Sequence, residues 1–255
     1  MNLILKVAPA LATMLVFLAA VQMLWFAGRL PITVAPPSAI IGALISGNGA
    51  LWFHLQTTLV AALLGFAVCC AAAIILTLVA HFVPLLRDFI NNLAVAIYAL
   101  PLIALAPTLV IWFGTGPTVR VIIAALAGFY PVMVGCLQGL QATESAGREL
   151  MRVLAASPWQ RFRLLELPTA MPFVFSGLKI SAASAFLGAI VAEWTGAERG
   201  LGMFMAYALF SFNVPQVWAA MVVCVITALA SYLAVAGIER VVVTWDVPEQ
   251  ARGAL

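Results

Sequence analysis

Few residues in this chain could do covalent chemistry. It has two histidines, four cysteines and 21 charged side chains (12 Lys and Arg, 9 Asp and Glu). His54 and His81 stand near opposite ends of one apolar run, so a straight helix keeps them from sharing a metal. The sequence has no H-E-x-x-H, no G-x-S-x-G elbow, and no G-x-x-x-x-G-K-[ST] to cradle a nucleotide phosphate. Cys69, Cys70, Cys136 and Cys224 lie inside apolar runs without ligand spacing, where a thiol behaves as a small hydrophobe. The expectation is a chain with no catalytic residues, no metal and no cofactor of its own. Any directed work must draw on a partner or an ion gradient.

The remaining polar residues suggest passage rather than reaction. Glu193 is an ionisable residue near the end of an apolar run, and such a group is a functional candidate by default. Two roles are open for it: lining a solute path, or capping structure by pairing with Arg199 or a helix N-terminus. Lys179, Ser181 and Ser184 lie earlier in the same run, with the two serines on one side. They would form a polar stripe along the path or hydrogen bonds between helices. Pro101, Pro107 and Pro131 interrupt helical hydrogen bonding and would kink their helices, as gates or as fixed shape. Gly135 and Gly139 form a small-xxx-small pair suited to helix packing.

One segment, residues 141–171, holds four of the twelve basic residues and three of the nine acids. Glu149 to Leu154 reads as a short amphipathic helix, with Glu149 and Arg152 one turn apart and Leu150, Val153 and Leu154 on the apolar face. Ser157, Pro158 and Gln160 then form an N-cap, a first helical position and a capping box. Trp159, Phe162 and Leu165 recur every third residue with Arg161 and Arg163 outward, and Leu167-Pro168 is expected to end this second helix. The pair would be a basic connector lying on anionic lipid, or a docking element with Trp159 and Phe162 at its apolar centre and Arg161 at its rim.

These residues must be positioned by elements, and composition says which kind. Of all residues 65% are hydrophobic and 8% charged, far below the roughly 25% of a soluble domain. That excludes a soluble enzyme, and a net charge of +3 implies no nucleic-acid partner. The fold class is all-α, a polytopic membrane protein forming one transmembrane domain over residues 1–255. About six runs can each cross a bilayer: Ala8–Ala27, Leu55–Ala80, Phe89–Phe113, Val119–Leu140, Phe173–Trp194 and Val217–Ile238. With the N-terminus inside, nine of the twelve basic residues fall on the cytoplasmic side, against Arg29, Arg120 and Arg199 outside. Both termini and the charged loop between the fourth and fifth runs are then cytoplasmic.

The loop resembles the EAA motif of binding-protein-dependent ABC importer permeases: E-A-A, three residues, G, nine residues, an aliphatic, any residue, L-P. Glu149 takes the Glu place, Ala155 the Gly place, and Leu165-Glu166-Leu167-Pro168 the end. The run Ala156-Ser157-Pro158-Trp159-Gln160-Arg161-Phe162 also looks like the family's continuation. Leu150-Met151 replace the two alanines, and Ala155 replaces the glycine, a poorer residue wherever φ > 0 is required. Trp112-Phe113-Gly114-Thr115-Gly116, Phe129-Tyr130-Pro131, Val191-Ala192-Glu193-Trp194 and Gly200-Leu201-Gly202 are similar to the sulfonate, nitrate and taurine permeases.

The resemblance implies a permease that pairs with a second copy, as a homodimer, in a bacterial cytoplasmic (inner) membrane. Two ABC ATPase subunits, carrying the ATP and Mg, would lie beneath it, and a periplasmic binding protein would deliver solute from above. It assigns Glu149, Arg152, Ala155, Ser157, Pro158, Trp159, Arg161, Phe162 and Pro168 to the coupling helix region. The implied solute is a small anion of the sulfonate, nitrate or taurine kind, with a vitamin precursor such as a thiamine pyrimidine as the alternative. An ion-coupled secondary transporter would need carboxylates near the bilayer centre, and only Glu193 is offered.

Overall fold

The computed structural model describes residues 2–245, and among these there is no strand. Arg252 and the side chain of Lys6, both counted in the charge bias, lie outside the described residues. Eleven α-helices follow in order: α1 (Asn2–Phe26), α2 (Pro37–Ser46), α3 (Asn48–Phe82), α4 (Arg87–Tyr98), α5 (Leu102–Phe113), α6 (Pro117–Gln141), α7 (Ser145–Val153), α8 (Pro158–Arg161), α9 (Leu167–Glu193), α10 (Leu201–Phe210) and α11 (Val214–Val242).

The centre of the fold is the crossing of α6 on α9, its most extensive helix pairing, with α3 against both. Small residues allow this approach. A Cβ on Gly135 would sit 2.6 Å from the Phe173 carbonyl, and one on Gly139 2.8 Å from the Ala170 carbonyl. Gly177 on α9 faces the Pro131 carbonyl just as closely. Gly135 and Gly139 thus pack helices, as their spacing suggests. Around the crossing Ile123, Val132, Met133, Ala185 and Phe186 are fully buried. Burying a side chain such as Phe186 stabilises a fold by ~2–3 kcal/mol.

Four helical stretches are long and apolar enough to span a bilayer: α3, α6, α11 and the continuous stretch Pro158–Glu193 that contains α9. The expected third span, Phe89–Phe113, is not one straight helix. It is broken at Leu100-Pro101 into α4 and α5, bent by 91°. The reason is local: proline lacks the N–H that would continue the ladder and pushes its predecessor out of the α region. Pro101 accordingly sits in extended backbone as the N-cap of α5, while Pro107 lies inside α5. Nevertheless the bent pair carries the chain across. One cavity gathers the C-terminal ends of α3 and α6, and another lies between the N-terminal halves of both. The two helices therefore run parallel, and α4–α5 must return the chain from one end to the other. The first expected run falls in α1, whose stretch Ala12–Phe26 is apolar but alone shorter than a crossing. Gln22 ties α1 to the start of α2, accepting from the Ser38 N–H and donating to its hydroxyl, each at 3.1 Å.

Candidate functional site

The charged loop builds its structure from two local devices. The first ends α7. The Ala155 N–H donates to the Arg152 carbonyl and the Ala156 N–H to the Met151 carbonyl, both at 3.0 Å, and Ala155 has φ +51°. This is a left-handed C-terminal cap of the Schellman type, a place that favours glycine. The second device starts α8. Ser157 Oγ accepts from the Gln160 N–H at 3.3 Å while Gln160 Oε1 accepts from the Ser157 N–H at 2.8 Å. This reciprocal capping box was legible from Ser157-Pro158-x-Gln160.

The second loop helix does not end at Leu167-Pro168, as the sequence suggests. It passes through a π turn, Phe162–Glu166, directly into α9, so Pro158–Glu193 is one helical stretch. The wider turn lets Pro168 enter where a strict α ladder would need its N–H, with the Leu167 N–H donating back to the Phe162 carbonyl. Pro172 leaves the Pro168 carbonyl without its helical donor, and the Trp245 indole N–H fills that place at 3.2 Å.

The turn also sorts the apolar residues of the loop. Trp159 is 59% exposed, as are Leu150, Val153 and Leu154 on α7 to similar degrees. Phe162, expected beside Trp159 on the docking face, is buried instead. Its ring lies 5.5 Å from both His81 and Phe82 at the end of α3, and Trp159 stacks on its other side at 5.6 Å. Leu165 likewise turns inward, over Gly147 of α7. Glu149 and Arg152 pair at 3.0 Å on the exposed surface.

A residue absent from the sequence expectations joins the loop to the membrane helices. Glu166 is 4% exposed. Its Oε1 lies 3.0 Å from Arg161 Nε on α8, and its Oε2 lies 3.1 Å from His81 Nε2 at the end of α3. Position 166 is the "any residue" of the motif, so only the partners brought together by the π turn single it out. His81, at one end of its apolar run, is one of those partners.

The run containing Lys179, Ser181, Ser184 and Glu193 is α9. Glu193 is 1% exposed and its oxygens are taken up within the subunit. They accept from Thr58 Oγ1 at 2.8 and 3.0 Å and from the Gly202 N–H at 2.8 Å, while Thr58 Oγ1 accepts from the Leu201 N–H at 2.9 Å. Glu193 therefore caps the N-terminus of α10, where a carboxylate meets free N–H groups and the positive end of the dipole. The alternative pairing with Arg199 does not form; that guanidinium lies over the Phe53 ring at 5.3 Å. Gly200 is forced by this arrangement: it has φ +128°, and a Cβ there would collide with the Glu193 carboxylate. His54 joins the same cluster, accepting from the Gly200 N–H at 3.1 Å.

Ser181 is fully buried in the α6–α9 crossing, 3.4 Å from Cys69 Sγ and against Gly128, the helix-packing place of its two readings. Ser184 is half-buried. Lys179 pairs with Glu239 of α11 at 2.7 Å, tying two long helices together.

The carboxylate of Glu166 thus joins a helical membrane body to a loop that bears exposed apolar residues. Residues 70–244 match the family described as binding-protein-dependent transport system inner membrane component, and the chain belongs to that family. It is 32% identical to a probable ABC transporter permease of Haemophilus influenzae, over 84% of this chain and 88% of the relative. It is 31% identical to the formylaminopyrimidine transport permease of Halalkalibacterium halodurans, over 84% and 86% of the two chains. It is also 26% identical to the taurine transport permease of Escherichia coli, over 84% and 81%. The protein is thus a multi-pass permease component of an ABC transport system, a translocation subunit rather than an enzyme. Its system includes an ATPase and a substrate-binding protein.

Proposed function

We propose that this chain is the membrane-spanning subunit of an ATP-driven importer, pairing with a second copy of itself in a bacterial inner membrane. The carrying observation is the loop: an exposed apolar set, Leu150, Val153, Leu154 and Trp159, held on two capped helices and left uncovered among the described residues. Two ATPase subunits dock there, with Glu149, Arg152 and Arg161 around the apolar centre. The loop and both termini are then cytoplasmic, in keeping with the Lys and Arg bias. ATP and Mg²⁺ are held by those partners, and hydrolysis there supplies the energy. Because α8 runs into α9, a displacement of the docked loop is delivered to the centre of the helix bundle. That suits a dimer switching between two packings under the control of nucleotide.

For the solute, the relatives point in two directions. Those named for formylaminopyrimidine and riboflavin transport are 31% and 30% identical, and those named for taurine and aliphatic sulfonate transport 26% and 25%. The ranking favours a small heterocyclic vitamin or vitamin precursor, with a sulfonate-, nitrate- or taurine-like anion as the second reading. The buried caps of α10 fit either, since Glu193 presents no charge to a passing anion.

The test is reconstitution in vesicles with ATPase and binding protein present or omitted. Uptake is expected only with ATP and all components. Uptake by the lone chain, driven by a proton or sodium gradient, would overturn the reading. Ligand binding to the partner binding protein separates the two solute classes.

A further inference from the structure

A cavity of about 700 Å³ opens where the loop meets the ends of α3 and α6, on the side that the proposed function makes cytoplasmic. Its wall holds four arginines, Arg87, Arg148, Arg152 and Arg161, with His81 and a single carboxylate, Glu166. The internal pairings leave this charge unbalanced. Glu166 is engaged by Arg161 and His81, and Glu149 is engaged by Arg152. The Arg148 side chain makes one 3.3 Å bond to the Gln141 carbonyl, and the Arg87 side chain makes no hydrogen bond or ion pair among the described residues. Each guanidinium offers five N–H donors in a planar fork that matches an oxyanion. A recess lined by one sign of charge focuses its field and concentrates counter-ions. The volume lies within the range of small-ligand sites, roughly 300–1,000 Å³.

We infer that this cavity binds an oxyanion, the phosphate of an anionic lipid headgroup or a free phosphate-like ion, that braces the loop against the membrane body. The arginines come from both sides of the joint: Arg148 and Arg152 from α7, Arg161 from α8, and Arg87 from α4. An anion held among them lowers their mutual repulsion and ties α7 and α8 to the ends of α3 and α4. The exposed Leu85, beside Arg87, gives an acyl chain apolar surface at the rim. Arg87 and Arg148 are not among the residues assigned to docking, so an anion held by them is compatible with a bound ATPase.

The test uses the full chain purified in uncharged detergent, so the importer reading can fail in the uptake assay without touching this result. One arm titrates sodium phosphate against sodium chloride at equal ionic strength. The other adds phosphatidylglycerol or phosphatidylcholine and counts retained lipids by native mass spectrometry. Saturable binding of phosphate over chloride identifies a free ion. Selective retention of phosphatidylglycerol identifies a headgroup, and either supports the site. The Arg87→Gln/Arg148→Gln pair is expected to weaken that binding at least tenfold, and the Lys pair to restore most of it. Undiminished binding in the Gln pair, or no preference for either anionic probe in the wild-type chain, overturns the proposal. So does a Gln pair that loses ATPase association while its anion binding is unchanged, since the arginines would then serve the partner. Should the Gln pair aggregate, the wild-type titrations and the Lys pair still decide.

Discussion

At the scale of single residues, two backbone positions with positive φ carry opposite lessons. Ala155 holds a left-handed cap that a glycine would occupy without strain, and the φ of +51° is adopted regardless. Left-handed backbone costs an L-residue ~1–2 kcal/mol, a cost glycine avoids. Ala155→Gly should therefore raise the chain's apparent melting temperature in detergent by a few degrees, and Ala155→Val should lower it; unchanged melting in both would discount the cap. Gly200 tolerates no such exchange. Its φ of +128° and the carboxylate of Glu193 in the place of a Cβ mean that Gly200→Ala should unseat α10. The loss is expected to exceed ~3 kcal/mol, combining strain with an uncapped, buried carboxylate. It would be read as loss of monodisperse protein on gel filtration. Glu193→Gln keeps the shape but leaves an amide N–H₂ facing either Thr58 or the Gly202 N–H. It should reduce thermal stability while the protein still inserts, and transport should fall in proportion to folded protein. A transport defect far larger than the stability loss would instead put the carboxylate on the solute path.

Elements come next. On the proposed function, the stretch Pro158–Glu193 would carry force from the loop to the core, since the π turn keeps it continuous and Glu166 ties it to α3 through Arg161 and His81. A carboxylate beside His81 and the half-exposed Arg161 holds them by charge-assisted contacts that a neutral amide replaces with weaker ones. Glu166→Gln should thus loosen the joint. ATPase should still bind, because the exposed apolar face is untouched. Stimulation of ATP hydrolysis by the loaded binding protein should drop several-fold, measured in proteoliposomes. Full stimulation in that variant would show that the joint transmits nothing. Trp159→Ala and Glu149→Ala act at the other end of the lever. They should weaken ATPase capture in a pull-down while leaving the fold intact, since both side chains are exposed. Phe162→Ala should differ from Trp159→Ala by lowering stability, by ~3–5 kcal/mol for a buried phenylalanine, because it packs on His81 and Phe82 and not on a partner.

For the whole molecule, polarity is divided by region. The bundle is closed by small residues and apolar packing, Glu193 serves as a cap and Lys179 pairs with Glu239; among the described residues, charge without an ion pair lies at the two ends, Arg87 and Arg148 by the loop and Arg120 and Arg199 opposite. A single subunit with this arrangement has no energy source, and its exposed apolar surface includes both lipid-facing helices and the docking set. Co-expression of the ATPase should therefore raise the yield of stable, detergent-extracted complex over that of the chain alone. The complex should contain two copies of each subunit, counted by native mass spectrometry or light scattering. A complex with one permease copy would rule out the homodimeric arrangement.

The sequence by itself determined a helical membrane protein, because backbone in lipid must be satisfied by helices or a closed barrel and its apolar runs are continuous, not alternating. It also determined the caps of the loop, since a capping box and a helix end are set by residues a few positions apart. Packing of Gly135 and Gly139 was legible for the same reason: spacing places them on one face. What depended on distant partners was decided only in three dimensions. Phe89–Phe113 reads as one apolar run; Pro101 marks a local break, but the angle of 91° between its two halves is set by how they pack. Glu193 reads equally as path or cap until Thr58 and Gly202, remote in sequence and on different helices, converge on it. Glu166 occupies a position the motif leaves free, and one turn of π geometry brings it and Phe162 toward α3 instead of outward. Hydropathy and capping are local quantities that a sequence writes directly. Which side chain a buried carboxylate meets is a property of helices packed against one another, and only the folded bundle sets it.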